Sequence, residues 1–112
     1  MTSMFALWAG ALLASGSPVT EVAITSVAEQ TSVLIAVNGS VQHRAFPMEG
    51  PHRLVVDLMG AENALPRDEF TGVNRGGIRN VRASQYSAEV VRVVFELSEQ
   101  MAYDITSDDD GL

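Results

Sequence analysis

Residues 52–58 read HRLVVDL and residues 90–97 read VVRVVFEL, so the second stretch repeats the pattern of the first. In both, an Arg precedes three apolar residues, an acid follows them, and a Leu ends the stretch. Val, Leu and Phe predominate, and β-branched and aromatic residues are typical of strands. The repeat suggests duplicated half-domains that form two similar sheets packed face to face, because one such sheet cannot cover its own apolar face.

Period-two alternation assigns the side chains of both stretches to opposite faces of a sheet. It predicts an inward set (Leu54, Val56, Leu58, Val91, Val93, Phe95 and Leu97) and an outward set (Arg53, Val55, Asp57, Arg92, Val94 and Glu96). In each stretch the outward Arg and acid are four residues apart, about 13 Å along a strand, which is too far for an ion pair within one strand. Two interpretations stay open: cross-strand ion pairs on a solvated face, or an Arg-bearing surface that binds the carboxylates of a partner.

From Val19 onward the chain reads as strands, since no window shows the period of an amphipathic helix. Asn38-Gly39 predicts a hairpin turn between the second and third strands, Glu49-Gly50-Pro51 predicts a further turn, and residues 59–77 predict a long loop. The fold class is therefore an all-β sandwich of two similar, mostly antiparallel sheets, with seven strands and a truncated eighth that begins at Leu112. The seven strands are Glu21 to Ala28, Ser32 to Val37, Val41 to Phe46, His52 to Leu58, Ile78 to Gln85, Val90 to Leu97 and Met101 to Ile105.

The N-terminal segment has the character of a secretory signal. Met4 to Ala14 read MFALWAGALLA, an apolar run of 11 residues that small residues follow. A membrane-spanning helix needs about 20 residues, whereas a run of this length fits the hydrophobic region of a signal peptide. We expect a signal-peptide helix over residues 1–16, a mature domain over residues 17–112, and export to the periplasm; the alternatives are a core helix and an arbitrary apolar start.

Composition and spacing narrow the function. The chain has 112 residues, 46% of them apolar, a formal net charge of −7 and no Cys, which indicates one domain without disulfides or thiolate metal sites. An acidic chain is a poor binder of nucleic acid. His43 and His52 lie on different predicted strands without an acid cluster at metal-ligand spacing, and no Ser lies in a nucleophile motif. We expect no metal, no cofactor and no catalysis.

Three stretches carry a family resemblance: PHRLVVDLMGA (51–61), GGIRNVRASQYS (76–87) and VVRVVFELSEQMAYDI (90–105). Their order and spacing resemble the AMIN domain of bacterial envelopes over Val19 to Leu112. The resemblance implies a β-sandwich of two four-stranded sheets and a periplasmic module that binds peptidoglycan and localises the protein carrying it. The sequence departs from the family pattern at its end, where the final strand is absent beyond Leu112, so we expect the domain to lack its last strand and the chain to be a fragment of a longer polypeptide.

The resemblance also implies two kinds of parent protein. AMIN domains lie at the N-terminus of type IV pilus secretins and before the amidase domain of N-acetylmuramoyl-L-alanine amidases. Arg82 to Ser87 (RASQYS), followed by a Val-Arg-Val-Val strand, look more like the secretin version. In that case secretin subunits or pilus assembly proteins are further candidate partners, and association with the outer membrane comes only through the rest of a longer chain. The alternatives are a targeting domain of an amidase and a structural spacer that does not bind the wall.

Exposed arginines with nearby polar and aromatic side chains form the predicted peptidoglycan site. The guanidinium groups would hold peptide-stem carboxylates, because their planar donors suit bidentate contacts. Tyr86 would stack on a sugar ring, or else be a half-buried aromatic at a strand end. The predicted site residues are Arg53, Arg79, Arg82, Gln85, Tyr86 and Arg92.

Overall fold

The computed structural model describes residues 16–67, 69–70 and 73–112, with only the backbone considered for residues 69 and 70. Its strands are β1 (Ser17–Val27), β2 (Gln30–Val37), β3 (Gln42–Met48), β4 (Arg53–Met59), β5 (Ala61–Asn63), β6 (Glu69–Phe70), β7 (Ile78–Ser87) and β8 (Val90–Leu97). They form a 3-stranded sheet of order β2-β1-β5 and a 5-stranded sheet of order β3-β4-β8-β7-β6. The predicted all-β, two-sheet fold is confirmed, although the sheets hold three and five strands rather than the four each that the resemblance implied.

The two repeated stretches, β4 and β8, lie side by side in the larger sheet. They pair antiparallel, with Arg53 opposite Glu96 and Asp57 opposite Arg92. Antiparallel hairpins join β1 to β2, β3 to β4 and β7 to β8, whereas β1 and β5 pair in parallel. The repeat therefore does not mark equivalent positions in two sheets, as the sequence suggested. It marks the centre of one sheet.

The core lies between the two sheets and follows the predicted alternation. Val56 and Leu58 of β4 are buried, as are Val91, Val93 and Phe95 of β8, while Leu54 and Leu97 pack against them partly buried. The smaller sheet contributes Val19, Ile35 and Val37. The prediction is wrong for the opposite side of β4, where a solvated face was expected: Val55 is only 2% exposed and Asp57 only 1%. β4 has a neighbour on each side, and their side chains cover it.

The hairpin predicted at Asn38-Gly39 is wrong, because β2 and β3 belong to different sheets. Asn38 instead donates its backbone N–H to the carbonyl of Pro18, at 2.9 Å, as the chain crosses from one sheet to the other. The hairpin partner of β2 is β1, and the turn between them contains Ala28 at φ 57°. β2 contributes Ile35 and Val37 to the core and β3 packs Ala45 against it, so the two strands lie on opposite sides of the core.

Three further boundaries differ from the prediction. Residues 101–105 form no strand, although Ile105 still packs against the core. The segment 59–77, expected as a loop, contains the short strands β5 and β6. β3 continues through Pro47 to Met48, which is possible because β3 is an edge strand and a missing N–H is tolerated there. The predicted turn at Glu49-Gly50-Pro51 does join β3 to β4, with a cis Gly50–Pro51 bond.

The last described residues pair with the outer edge of β2, where an eighth strand was predicted to begin. Ile35 donates to the carbonyl of Leu112 at 2.8 Å, and Leu112 donates back to Ile35 at 3.0 Å. Gly111, at φ 134°, lies so close to Ile35 that a Cβ there would overlap the Ile35 carbonyl oxygen. Only glycine fits both the conformation and the contact.

The predicted signal peptide, residues 1–16, lies outside the described residues except for Gly16. The first described strand, β1, begins at Ser17, and the division into a signal peptide and a mature domain stays a prediction. Across the part of the chain that the structure describes, no helix is long and apolar enough to cross a membrane.

Candidate functional site

The side of the five-stranded sheet that points away from the core is called the outer face here. Register and alternation bring to it side chains from β3, β4, β7 and β8. They are Arg44, Phe46, Arg53, Val55, Asp57, Asn80, Arg82, Arg92, Val94 and Glu96, with Tyr86 beside them. Four arginines and two carboxylates are among these described side chains, so this described set carries a net positive charge although the whole chain has a net charge of −7.

At the centre of the outer face, Asp57 holds Arg92. Arg92 Nε donates to Asp57 Oδ1 at 2.8 Å and Arg92 Nη2 donates to Oδ2 at 3.0 Å. Arg44 approaches the same carboxylate at 3.5 Å from its exposed position. The hydrogen bond from Arg92 lowers the pKa of Asp57, with a smaller contribution from Arg44, and this outweighs the opposing effect of burial. Asp57 is therefore ionised at neutral pH, and the guanidinium groups of Arg92 and Arg44 balance its negative charge.

Two aromatic rings flank the guanidinium of Arg92. Its Cζ lies 3.8 Å from the centroid of the Tyr86 ring and 5.7 Å from that of Phe46. Both distances fall within the range of cation–π contacts. The bidentate bond to Asp57 fixes the plane of the guanidinium, and Tyr86 is 59% exposed. The result is a rigid, partly aromatic and cationic platform that is open to solvent.

A second cluster surrounds Glu96 on the same face. Asn80 Nδ2 donates to Glu96 at 2.8 Å, and Arg82 Nη2 lies 3.2 Å from its other carboxylate oxygen. Arg53 is opposite Glu96 in register, but its Nε donates to the carbonyl of Pro51 at 3.3 Å. Within the described residues, Arg53 forms no ion pair with a carboxylate. Its terminal nitrogens are thus available to a ligand.

The structure brings together four of the six predicted site residues, namely Arg53, Arg82, Tyr86 and Arg92, on the outer face. Arg79 is exposed at an irregularity of β7, where the register with β8 shifts. Gln85 does not join them.

The amide of Gln85 is occupied within the fold. Its Oε1 accepts the N–H of Asn63 at 2.8 Å, and its Nε2 donates to the carbonyls of Ala61 at 3.1 Å and Ser87 at 2.9 Å. These contacts tie β5 to β7. Gln85 therefore holds β5 against β7 rather than presenting its amide to a ligand.

Sequence reasoning missed Asp57, Arg44 and Phe46 as parts of the site. Asp57 was expected on a solvated surface, and the other two were not considered. All three become neighbours of Arg92 only through the pairing of β3, β4 and β8, because Arg44 lies opposite Asp57 and Phe46 opposite Val55. Outward-facing charges on adjacent strands were the available signal, but strand order was needed to use it.

The chemistry that this arrangement supports is recognition of anionic and ring-shaped groups. Guanidinium donors bind carboxylates, and an exposed aromatic ring offers a flat surface for stacking. Among the residues that the structure describes, no three His, Cys, Asp or Glu side chains are grouped so as to hold a metal ion.

Comparison with known families identifies the family to which this fold belongs. The family model described as AMIN domain matches residues 16–112, which cover every described strand. No curated protein matches the chain. The resemblance that the three sequence stretches carried is confirmed.

Proposed function

Because the chain belongs to the AMIN domain family, we propose that it binds peptidoglycan through its outer face and so localises the protein that carries it. AMIN domains are non-catalytic peptidoglycan-binding and localisation modules of secretins and amidases, and they are typical of periplasmic and envelope proteins. The observation that carries the proposal is Arg92, held by Asp57 and stacked on the exposed ring of Tyr86.

Peptidoglycan presents both chemistries that the outer face can recognise. Its peptide stems carry carboxylates, which suit the terminal nitrogens of Arg53 and the nitrogen donors of Arg82 that Glu96 does not engage. Its sugar rings have apolar faces that can stack on Tyr86. Arg92 uses two nitrogens for Asp57, but a guanidinium has five N–H donors, so others stay available to a ligand.

Sedimentation with purified sacculi tests the site. Arg53→Gln and Tyr86→Ala are the informative variants, because both leave Asp57 paired with Arg92. Each should raise the apparent Kd about fivefold, which corresponds to about 1 kcal/mol, and the double variant should fall further. Arg75→Gln is the matched control for the loss of one positive charge. A double variant that sediments like the wild type would show that the wall contact lies elsewhere, and a wild type that does not sediment would favour the spacer alternative.

Salt dependence gives a second test of the same proposal. A chain of net charge −7 is repelled on average by anionic wall polymers, so binding has to come from local arginine–carboxylate contacts. Such contacts are screened over about 8–10 Å at physiological ionic strength. The sedimented fraction should fall steadily as salt rises, and a fraction that is indifferent to salt would contradict the arginine–carboxylate contacts.

For the parent protein we propose a type IV pilus secretin, exported to the periplasm by residues 1–16. The support is the RASQYS stretch, Arg82 to Ser87, followed by the Val-Arg-Val-Val strand. In a secretin, neighbouring subunits or pilus assembly proteins would be further partners. A fluorescent fusion of the full-length protein tests this assignment: coincidence with the pilus machinery supports it, and midcell placement favours the amidase alternative.

A further inference from the structure

A small cleft lies at the end of the β3–β4 hairpin, next to the outer face. It has a volume of about 290 Å³ and lies between the hairpin and the segment that follows β8. We call it the hairpin cleft; the lining residues that matter below are Met48, Glu49, His52, Arg53, Leu54 and Tyr103. Ligand pockets begin at about 300 Å³, so the hairpin cleft suits a group the size of one amino acid rather than a whole sugar–peptide unit.

The hairpin cleft contains both a cation and an anion. Arg53 keeps its terminal nitrogens available, since its Nε is bonded to the Pro51 carbonyl at 3.3 Å. Glu49, which lies in the turn next to it, is exposed. Neither side chain forms an ion pair within the part of the chain that the structure describes. His52 lines the same space. A ligand with charge of one sign only would leave one of the two groups facing a like charge or no partner.

The remaining wall of the hairpin cleft is apolar. Met48 is 40% exposed and Tyr103 is 43% exposed, and both are among the large hydrophobic side chains that folding leaves uncovered. Leu54 is partly buried and connects this wall to the core. Exposed apolar groups beside unpaired charges are typical of a site that binds a ligand with both apolar and charged parts.

We propose that the hairpin cleft binds a free α-amino-acid group. The ligand's carboxylate accepts from Arg53, its ammonium donates to Glu49, and its carbon chain lies against Met48 and Tyr103. This inference rests on the proposed function, because peptide stems of peptidoglycan can carry such a group on the side chain of a diamino acid. It gives Arg53 a role distinct from that of Arg92 and Tyr86, which contact sugars and other carboxylates.

An NMR titration tests the hairpin cleft. The probe is a disaccharide-tripeptide that ends in meso-diaminopimelate, and the comparison probe is the same molecule with the diaminopimelate carboxylates amidated. The free form should shift the amide signals of residues 48–54 and 101–103, and amidation should weaken binding about tenfold. Arg53→Gln and Glu49→Gln should each weaken it to a similar extent. Arg75→Gln and Glu21→Gln are the matched controls for lost charge.

The outcomes separate this inference from the proposed function. Signal changes confined to the region of Tyr86, or an affinity that does not change on amidation, would overturn the proposal that the hairpin cleft binds an amino-acid group. Sedimentation of the wild type with sacculi would still support wall binding in that case. If the probe shifts the signals of the hairpin cleft but the protein does not sediment with sacculi, the amino-acid site is supported and wall localisation is refuted. Well-dispersed spectra of both variants establish that the loss of affinity is not a loss of the fold.

Discussion

Replacing Arg92 with Met should destabilise the domain far more at neutral pH than in acid. Met preserves an apolar stem but removes the two hydrogen bonds to Asp57, at 2.8 and 3.0 Å. Asp57 is 1% exposed, and the Met side chain would still cover much of it, so water can replace the lost donors only in part; Arg44 at 3.5 Å is the remaining charged partner. Breaking a buried ion pair costs about 3–5 kcal/mol. Because Arg44 partly compensates, we expect about 3 kcal/mol, a large part of the 5–15 kcal/mol typical of a domain.

The pH dependence follows from the lowered pKa of Asp57. A carboxyl whose pKa is lower in the folded state stabilises that state above its unfolded pKa of about 3.9, and this contribution is lost as pH falls through the folded-state pKa. Without Arg92 the largest cause of the lowering is lost, so the pKa of Asp57 lies higher than in the wild type, the carboxyl becomes neutral at a higher pH and its burial costs less in acid. The difference between the wild type and Arg92→Met should therefore shrink as pH falls from about 7 to about 3.

Urea unfolding followed by circular dichroism measures the free energy of unfolding of the wild type and of Arg92→Met at about pH 7 and at about pH 3. Arg79→Met is the control, because Arg79 is exposed and forms no ion pair within the described residues; its effect should stay within about 0.5 kcal/mol at either pH. An Arg92→Met variant as stable as the wild type at neutral pH would refute the reasoning. So would a loss of the same size at both pH values, since it would then come from packing and not from the carboxylate.

Three further changes test the fold. Gly111→Ala should cost about 1–3 kcal/mol through backbone strain and should speed hydrogen exchange at the Ile35 amide; unchanged exchange would argue against the pairing with β2. Leu58→Ala should lower the free energy of unfolding by about 2–5 kcal/mol, measured in urea, because Leu58 is fully buried. Gln85→Ala should lower it by about 0.5–1.5 kcal/mol by removing the hydrogen bond from the Asn63 N–H, whereas a neutral result would mean that water replaces the amide.

Much of the fold could be predicted from alternation. The inward residues of β4 and β8, such as Val56 and Phe95, follow directly from the period-two alternation of side chains along a strand. Strand order could not be predicted, because one sequence does not say which strands pair. That gap explains the error at Asn38-Gly39, whose composition fits a tight turn but whose flanking strands pack on opposite sides of the core. It also explains residues 101–105, whose strand-like composition finds no pairing partner.

Only part of the site could be predicted, because residue type and alternation can be read from the sequence but strand order cannot. Exposed arginines and Tyr86 are visible as residue types, and alternation places Arg53 and Arg92 outward. The burial of Asp57 depends on Arg44 and Arg92 from both neighbouring strands, which only the assembled sheet reveals. Gln85 illustrates the converse: its residue type suggested a ligand contact, but its hydrogen-bond partners are backbone groups of β5, β7 and β8.

The antiparallel pairing of two like-patterned strands has a consequence for association between molecules. A strand that complements its duplicate also complements an identical copy of itself: two β4 strands laid antiparallel about Val55 would again oppose Arg53 with Asp57. Incompletely folded molecules thus expose a self-matching ribbon, and the intramolecular partner β8 has to occupy it before another molecule does. Once β8 lies against it, β4 has both of its edges paired and offers none to a second molecule.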